Sequence, residues 1–357
     1  MDPLVTSIFE SCWDLGSKFF YWLFDGYIQP KEDFSLLWDE TKVINSTGDK
    51  PMLKSQNKTA QRQVYTFTIP VGLSIDNFTK NKDAIAQYLH QDIKNIRIEL
   101  VNNMAEMTIY NPSNLSFNYS DYSFDYKTKE IRVPLGINLK DFSVVEWRAT
   151  DPSSCHLLIG GATGSGKSVS LDIVLKYLSQ RDDVDLWIQD VKFVDLVGYE
   201  NCPRTKVYNQ GTDYALETIK ALTNEMAERY KYLKKHGYKN LNECKEKNKP
   251  NYIFYVVEEL ATFSIKEHKE YFNELSEILS KARAAGIICI LVTQAPYAEI
   301  LPGKIKCNLN SVLGLRTKTP EASKVISGEY NLVNLRGKGH SIFYTGGESI
   351  EMQVFKI

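Results

Sequence analysis

Residues 161–168 read Gly161-Ala162-Thr163-Gly164-Ser165-Gly166-Lys167-Ser168, a complete G-x-x-x-x-G-K-[ST] pattern whose flanks restrict the folds able to hold it. The apolar run His156-Leu157-Leu158-Ile159 before it suits a buried strand, and Val169, Leu171, Ile173, Val174, Leu175 and Leu178 after it follow helical spacing. Strand, glycine loop and helix in that order is the context this pattern requires. The glycines let backbone N–H groups turn inward around phosphate oxygens, and the positive end of the helix helps hold the anion. Nucleotide contacts are therefore expected from Gly161, Ala162, Thr163, Gly164, Ser165, Gly166, Lys167, Ser168 and Val169. Lys167 would reach the β- and γ-phosphates, and the Ser168 hydroxyl would ligate Mg²⁺.

From residue 155 onward, short apolar runs alternate with longer helical patterns, the arrangement of a parallel sheet wound with helices. Four runs stand out, at 157–160, 185–190, 252–257 and 287–292. Ligands in such sheets sit outside the carboxyl ends of the strands, so the residue that ends each run matters most. The run at 252–257 ends in Glu258-Glu259. One carboxylate can hold Mg²⁺ through its water shell, and the next can orient or deprotonate an attacking water. Thr293-Gln294 ends the last run and sets a neutral amide where a γ-phosphate would be sensed. Asp190-Val191-Lys192 ends another and reads as an exposed ion pair.

At 357 residues the chain exceeds one ordinary core, and roughly 100–200 residues per domain predicts two domains with appendages. Apolar residues at 43% and charged residues at 24% describe a soluble globular chain. A net charge of −1 argues against a protein that coats nucleic acid, yet leaves room for a locally basic channel. None of the six cysteines forms a C-x-x-C pair, which suits reduced core positions in a cytosolic protein. The five dispersed histidines show no metal-ligand spacing.

The pass along the chain predicts an aromatic, amphipathic segment at 1–30, a polar linker at 31–63, a small α+β domain at 64–150 and the nucleotide domain at 151–357. Glu10, Asp14, Lys18 and Asp25 interrupt the first segment, so no run of 18 apolar residues exists to span a bilayer. Two expectations stay open for it: packing on the protein's own body, or peripheral attachment to a membrane or secretion-channel component. In the small domain, Val64–Ile69 alternates like a strand, residues 75–91 carry a helical pattern, and 96–101 and 107–110 supply further strands.

The ordered set comprising residues 161–168, Asp190-Val191-Lys192, 224–230, 237–241, Glu258-Glu259-Leu260-Ala261, Lys281-Ala282-Arg283-Ala284-Ala285-Gly286-Ile287 and Thr293-Gln294-Ala295-Pro296 resembles the FtsK/SpoIIIE DNA translocases. Val133-Pro134-Leu135-Gly136 and Leu335-Arg336-Gly337-Lys338-Gly339-His340 extend the likeness from about residue 64 to the end of the chain. The resemblance implies an α/β fold: a RecA-like P-loop motor domain with a mainly parallel sheet, preceded by a small α+β domain. It implies an ATP-driven pump that threads double-stranded DNA through a homo-oligomeric, hexameric ring, with ATP and Mg²⁺ as cofactors. By position, Lys167 and Ser168 hold phosphates and metal, Glu258 takes the metal-coordinating place, Glu259 the general base and Gln294 the sensor. Arg283 matches an arginine that neighbouring subunits insert into each other's sites. Lys304, Lys306, Lys318 and Lys324 fall near the DNA-facing loops, where phosphate contacts need only positive charge.

Departures from the pattern carry expectations of their own. Glu258 stands where the family has Asp, adding a methylene that could slow hydrolysis, and Ala295 stands where an Arg is usual. The chain matches a short form without the winged-helix domain, as in the motors of conjugative elements, plasmids or phages. Two other functions stay open: an ATPase coupling a protein or relaxase substrate to a secretion channel, and a weakly hydrolysing nucleotide-dependent scaffold.

Overall fold

The computed structural model describes residues 34–263, 265–294 and 301–357, so the expectations for segment 1–30 and for Ala295 lie outside the described residues. The chain divides into two units that meet between Asn114 and Leu115.

In the first unit, alternation of buried and half-exposed residues gives sheet strands with one covered face. β1 (Leu53–Lys58), β2 (Arg62–Phe67), β3 (Ile96–Val101) and β4 (Met104–Tyr110) form an antiparallel sheet in the order β1-β2-β4-β3. Helices α1 (Ser35–Glu40), α2 (Ile75–Lys80) and α3 (Lys82–Tyr88) complete it. Trp38 of α1 is fully buried, with its ring edge-on to Phe67 at 4.9 Å and to Phe78 at 5.4 Å. Residues 34–63 therefore do not act as the expected linker: α1 fills the core and β1 supplies an edge strand.

The second unit holds one ten-stranded sheet. Its strands are β5 (Arg132–Asn138), β6 (Val144–Arg148), β7 (Leu157–Gly160), β8 (Val184–Asp190), β9 (Thr205–Gln210), β10 (Tyr252–Val257), β11 (Ile287–Thr293), β12 (Ser311–Leu315), β13 (His340–Thr345) and β14 (Glu348–Val354). Across the sheet the order is β6-β5-β14-β13-β12-β7-β11-β10-β8-β9. The six strands from β12 to β9 run parallel; the inner β7, β10 and β11 are continuously apolar and buried, as strands covered on both faces are, whereas β9 at the edge is polar. The remaining pairings are antiparallel. Helices α4 (Lys167–Ser179), α5 (Ala215–His236) and α6 (Lys269–Lys281) are its long helices, with the shorter α7 (Gly303–Lys306) beside α6 and α8 (Pro320–Ser327) beside β12. Because β14 returns to pair with β5, residues 115–150 belong to this unit, and the boundary expected at 150 is displaced toward the amino terminus.

Of the described cysteines, Cys155, Cys244 and Cys289 are buried free thiols, whereas Cys307 is exposed. No described helix is long and apolar enough to cross a membrane.

Candidate nucleotide site

β7 ends at Gly160 between β12 and β11, which places the glycine loop at the carboxyl edge of the parallel strands. The loop is braced from three sides. Gly161 N–H donates to the Thr293 carbonyl (3.3 Å), Ala162 N–H to that of Arg316 (2.8 Å), and Gly339 N–H to that of Ser165 (2.8 Å). Gly166 takes φ 118°, and a Cβ there would lie 2.9 Å from the Gly339 nitrogen, so glycine is needed for both conformation and space.

Lys167 opens α4 and folds back over the loop, donating to the carbonyls of Gly161 and Ala162 at 2.9 Å each. Burial lowers its pKa to about 8; the Glu259 carboxylate opposes that shift and the Lys192 ammonium adds to it. Ser168 and Val169 are exposed at the helix start, and the Ser168 hydroxyl lies 3.4 Å from the Asp195 carboxylate.

Both acids that follow β10 are buried, with Glu258 3% and Glu259 6% exposed. Glu259 Oε1 accepts the backbone N–H of Gln294 (3.0 Å) and of Ala261 (3.3 Å), which fixes the carboxylate beside the end of β11. The Gln294 side-chain oxygen in turn accepts from the Thr163 hydroxyl at 2.9 Å. Three elements thus meet: the glycine loop, the acid pair and the Gln294 strand end. Glu258 forms an ion pair with Lys192. Burial nevertheless pushes the Glu258 pKa up to about 7, with Lys192 pulling against it. Burial also works to lower Lys192, but its bond to Glu258 and the charges of Glu258, Glu259 and Asp195 raise it overall.

Among the described residues, the remaining oxygens of the two acids, Glu258 Oε2 and Glu259 Oε2, have no hydrogen-bond partner. A buried carboxylate oxygen left in that way is costly unless a cation or its water shell satisfies it. With the Ser168 hydroxyl nearby, these residues fit Mg²⁺, which binds proteins through one or two carboxylates while keeping several waters.

Two features were not legible in the sequence. Asp190 is fully buried rather than part of an exposed pair; it accepts from the Tyr208 hydroxyl (2.7 Å) and from the backbone of Lys192 (3.2 Å) and Phe193 (3.0 Å). The Lys192 side chain is thereby free to cross to Glu258. The sequence signals for Lys192 were its place after a strand's carboxyl end and its part in the ordered motif set, neither of which pointed to Glu258, and Asp195 had none.

Arg283 is not at this edge. It precedes β11 at the opposite end of the sheet, where its guanidinium donates to the Pro152 carbonyl (3.2 Å) and lines a cavity of about 570 Å³ with Tyr230 and Cys307. The two ends of the seven-residue β11 stand roughly 20 Å apart at about 3.3 Å per residue, beyond the reach of one side chain. Of the four lysines, three lie on two short helices joined by a hydrogen bond. Lys304 and Lys306 share α7, and Lys306 donates to the Lys324 carbonyl on α8 at 3.1 Å. The Lys324 ammonium lies 5.0 Å from the Tyr330 ring. Lys318 lies past the carboxyl end of β12 and is exposed.

Residues 118–249 match the family model described as FtsK/SpoIIIE family. Curated relatives named DNA translocase FtsK include one from Chlorobaculum tepidum, 30% identical over 61% of this chain and 29% of its own length. Another, from Chlamydia muridarum, is 29% identical over 69% of this chain and 34% of its own length. The chain thus spans about a third or less of these relatives. Among solved structures, the pCW3 conjugation coupling protein TcpA, in its monomer form with ATPγS, has a similar fold (TM-score 0.62, 22% identity), covering 90% of this chain and 94% of that one. So does the cytoplasmic domain of the Type VII secretion ATPase EccC of Thermomonospora curvata (TM-score 0.58, 20% identity, 70% of this chain and 31% of that one). These likenesses identify the second unit as a RecA-like P-loop fold. Residues 118–249 of the phosphate-loop unit thus match the FtsK/SpoIIIE family pattern, and the unit is similar to these DNA translocases.

Proposed function

We propose that this chain is an ATP-driven ring translocase that moves double-stranded DNA for a conjugative element, plasmid or phage. The observation that carries the ring is the separation of Arg283 from its own phosphate loop by the length of β11. A cation at that pole serves a site only if a neighbouring copy brings its loop there, and a hexamer closes such head-to-tail contacts. Lys167 and Ser168 hold the phosphates and Mg²⁺, Glu258 the metal's water shell, Glu259 orients the attacking water, and Gln294 registers the γ-phosphate. The DNA substrate is carried over from relatives named DNA translocase, and Lys304, Lys306, Lys318 and Lys324 are its proposed phosphate contacts.

A second reading, an ATPase that couples a protein or relaxase substrate to a secretion channel, draws on the similarity to TcpA across both units. The test is ATPase activity with and without linear duplex, alongside displacement of a third strand from a triplex. The translocase reading expects duplex-stimulated turnover and ATP-dependent displacement. It also expects DNA affinity to fall steeply with salt, with loss of one contacting lysine flattening the slope of log K against log salt by about one. Turnover indifferent to duplex DNA, without displacement, overturns it in favour of the second.

A further inference from the structure

We infer that the loop after β8 is a cation gate on the metal site: the Lys192 ammonium is a tethered stand-in that Mg²⁺ displaces, and Asp195 is a further carboxylate for the metal's water shell. This rests on the nucleotide-site reading of residues 161–168. The Lys192 ammonium ion-pairs with Glu258 Oε1, and stands 3.6 Å from Asp195 Oδ2 and 3.9 Å from Glu259 Oε2. Asp195 Oδ2 is in turn 3.4 Å from the Ser168 hydroxyl. The groups that would hold the metal, and one more carboxylate, therefore converge on a single monovalent charge.

Independent support comes from what that charge leaves undone. Glu258 and Glu259 are each more than nine-tenths buried, yet each keeps one oxygen without a hydrogen-bond partner among the described residues. One ammonium carries a single charge and leaves those two oxygens without donors; a divalent ion with its waters carries twice the charge and more donors. Among the described residues, no three His, Cys, Asp or Glu side chains converge closely enough to cage a metal directly, which assigns Asp195 to the water shell.

The loop is built for one side chain to move while its backbone stays. Buried Asp190 holds the N–H groups of Lys192 and Phe193, and Phe193 adopts φ 68°, a bend that residues with side chains rarely make. Lys192 itself is 30% exposed on a flexible four-carbon stem, so its ammonium has a path to water when a metal arrives. In the absence of metal, the same ammonium offsets the repulsion among three carboxylates at a buried strand end.

The test measures Mn²⁺ binding to the full-length protein with ADP, which carries no γ-phosphate, by loss of the free-Mn²⁺ paramagnetic resonance signal. Lys192→Met should lower the Mn²⁺ needed for half-saturation about tenfold, because its competitor is gone, and Lys192→Arg should stay near wild type. Asp195→Asn should raise it about tenfold, as expected for an outer-shell partner. In the wild-type protein, acylation of Lys192 mapped by mass spectrometry should be faster with ADP and Mg²⁺ than with ADP and chelator. An unchanged or raised Mn²⁺ requirement in Lys192→Met, or Lys192 acylation equal or slower with Mg²⁺, overturns the gate. An unchanged requirement in Asp195→Asn overturns the role of Asp195. Wild-type protein that retains no ADP at any Mn²⁺ concentration overturns the nucleotide-site reading itself, a result distinct from the others.

Discussion

Glu258 and Glu259 are neighbours in sequence, but the pleat of the chain at the end of β10 gives them different company. Glu259 is fixed by two backbone N–H groups, one of them from Gln294, which aims it at the loop that would hold the γ-phosphate. Glu258 instead pairs with the Lys192 ammonium, with the Asp195 carboxylate close by. The two isosteric changes should therefore part. Glu259→Gln keeps the acceptor oxygen for Gln294 and should retain ATP binding while lowering turnover by about 10²-fold or more, since a general base is lost. Glu258→Gln should weaken Mg²⁺-dependent nucleotide binding about tenfold or more. Equilibrium binding of a fluorescent nucleotide with and without chelator, beside steady-state turnover, checks both. Identical behaviour of the two variants would remove the division of roles.

At the scale of elements, the small unit depends on a helix that polar composition concealed. Residues 45–51 read Asn-Ser-Thr-Gly-Asp-Lys-Pro, a turn sequence, and their polarity masked the short α1 before them. Yet Phe34, Leu37 and Trp38 enter the core, and Trp38 packs against rings from β2 and α2. Trp38→Ala should destabilise this unit by about 3–5 kcal/mol, the usual cost of removing a buried aromatic side chain. Chemical denaturation of the full chain followed by circular dichroism would show a lower midpoint. An unaltered midpoint would return residues 34–63 to the status of a linker.

For the whole molecule, the decisive arrangement is the opposition of two edges of one sheet, with the glycine loop at one and Arg283 at the other. If Arg283 completes a neighbour's site, Arg283→Ala should leave ATP binding nearly intact and lower turnover by about 10³-fold, in the range of other arginine fingers. Lys167→Ala should abolish turnover through loss of the main phosphate cation. Mixing the two inactive proteins should then restore part of the activity, because some interfaces join an intact loop to an intact arginine. Co-assembled mixtures that never exceed the average of the two variants would assign Arg283 a role within its own subunit.

The amino-acid sequence by itself determined the strand, loop and helix around Lys167, the buried parallel strands and the polar residues that end them. Each is written in contiguous residues: apolar runs too continuous for a one-sided sheet, and glycines where the backbone turns. Tertiary structure decided the rest. The return of β14 onto β5 moved residues 115–150 into the phosphate-loop unit, because a strand's partner is set by long-range closure of the sheet and not by its own composition. Asp190 became a buried anchor because β9 brought Tyr208 beside it. Lys192 reached an acid 66 positions away because β8 and β10 lie side by side in register, a neighbourhood that no local pattern encodes.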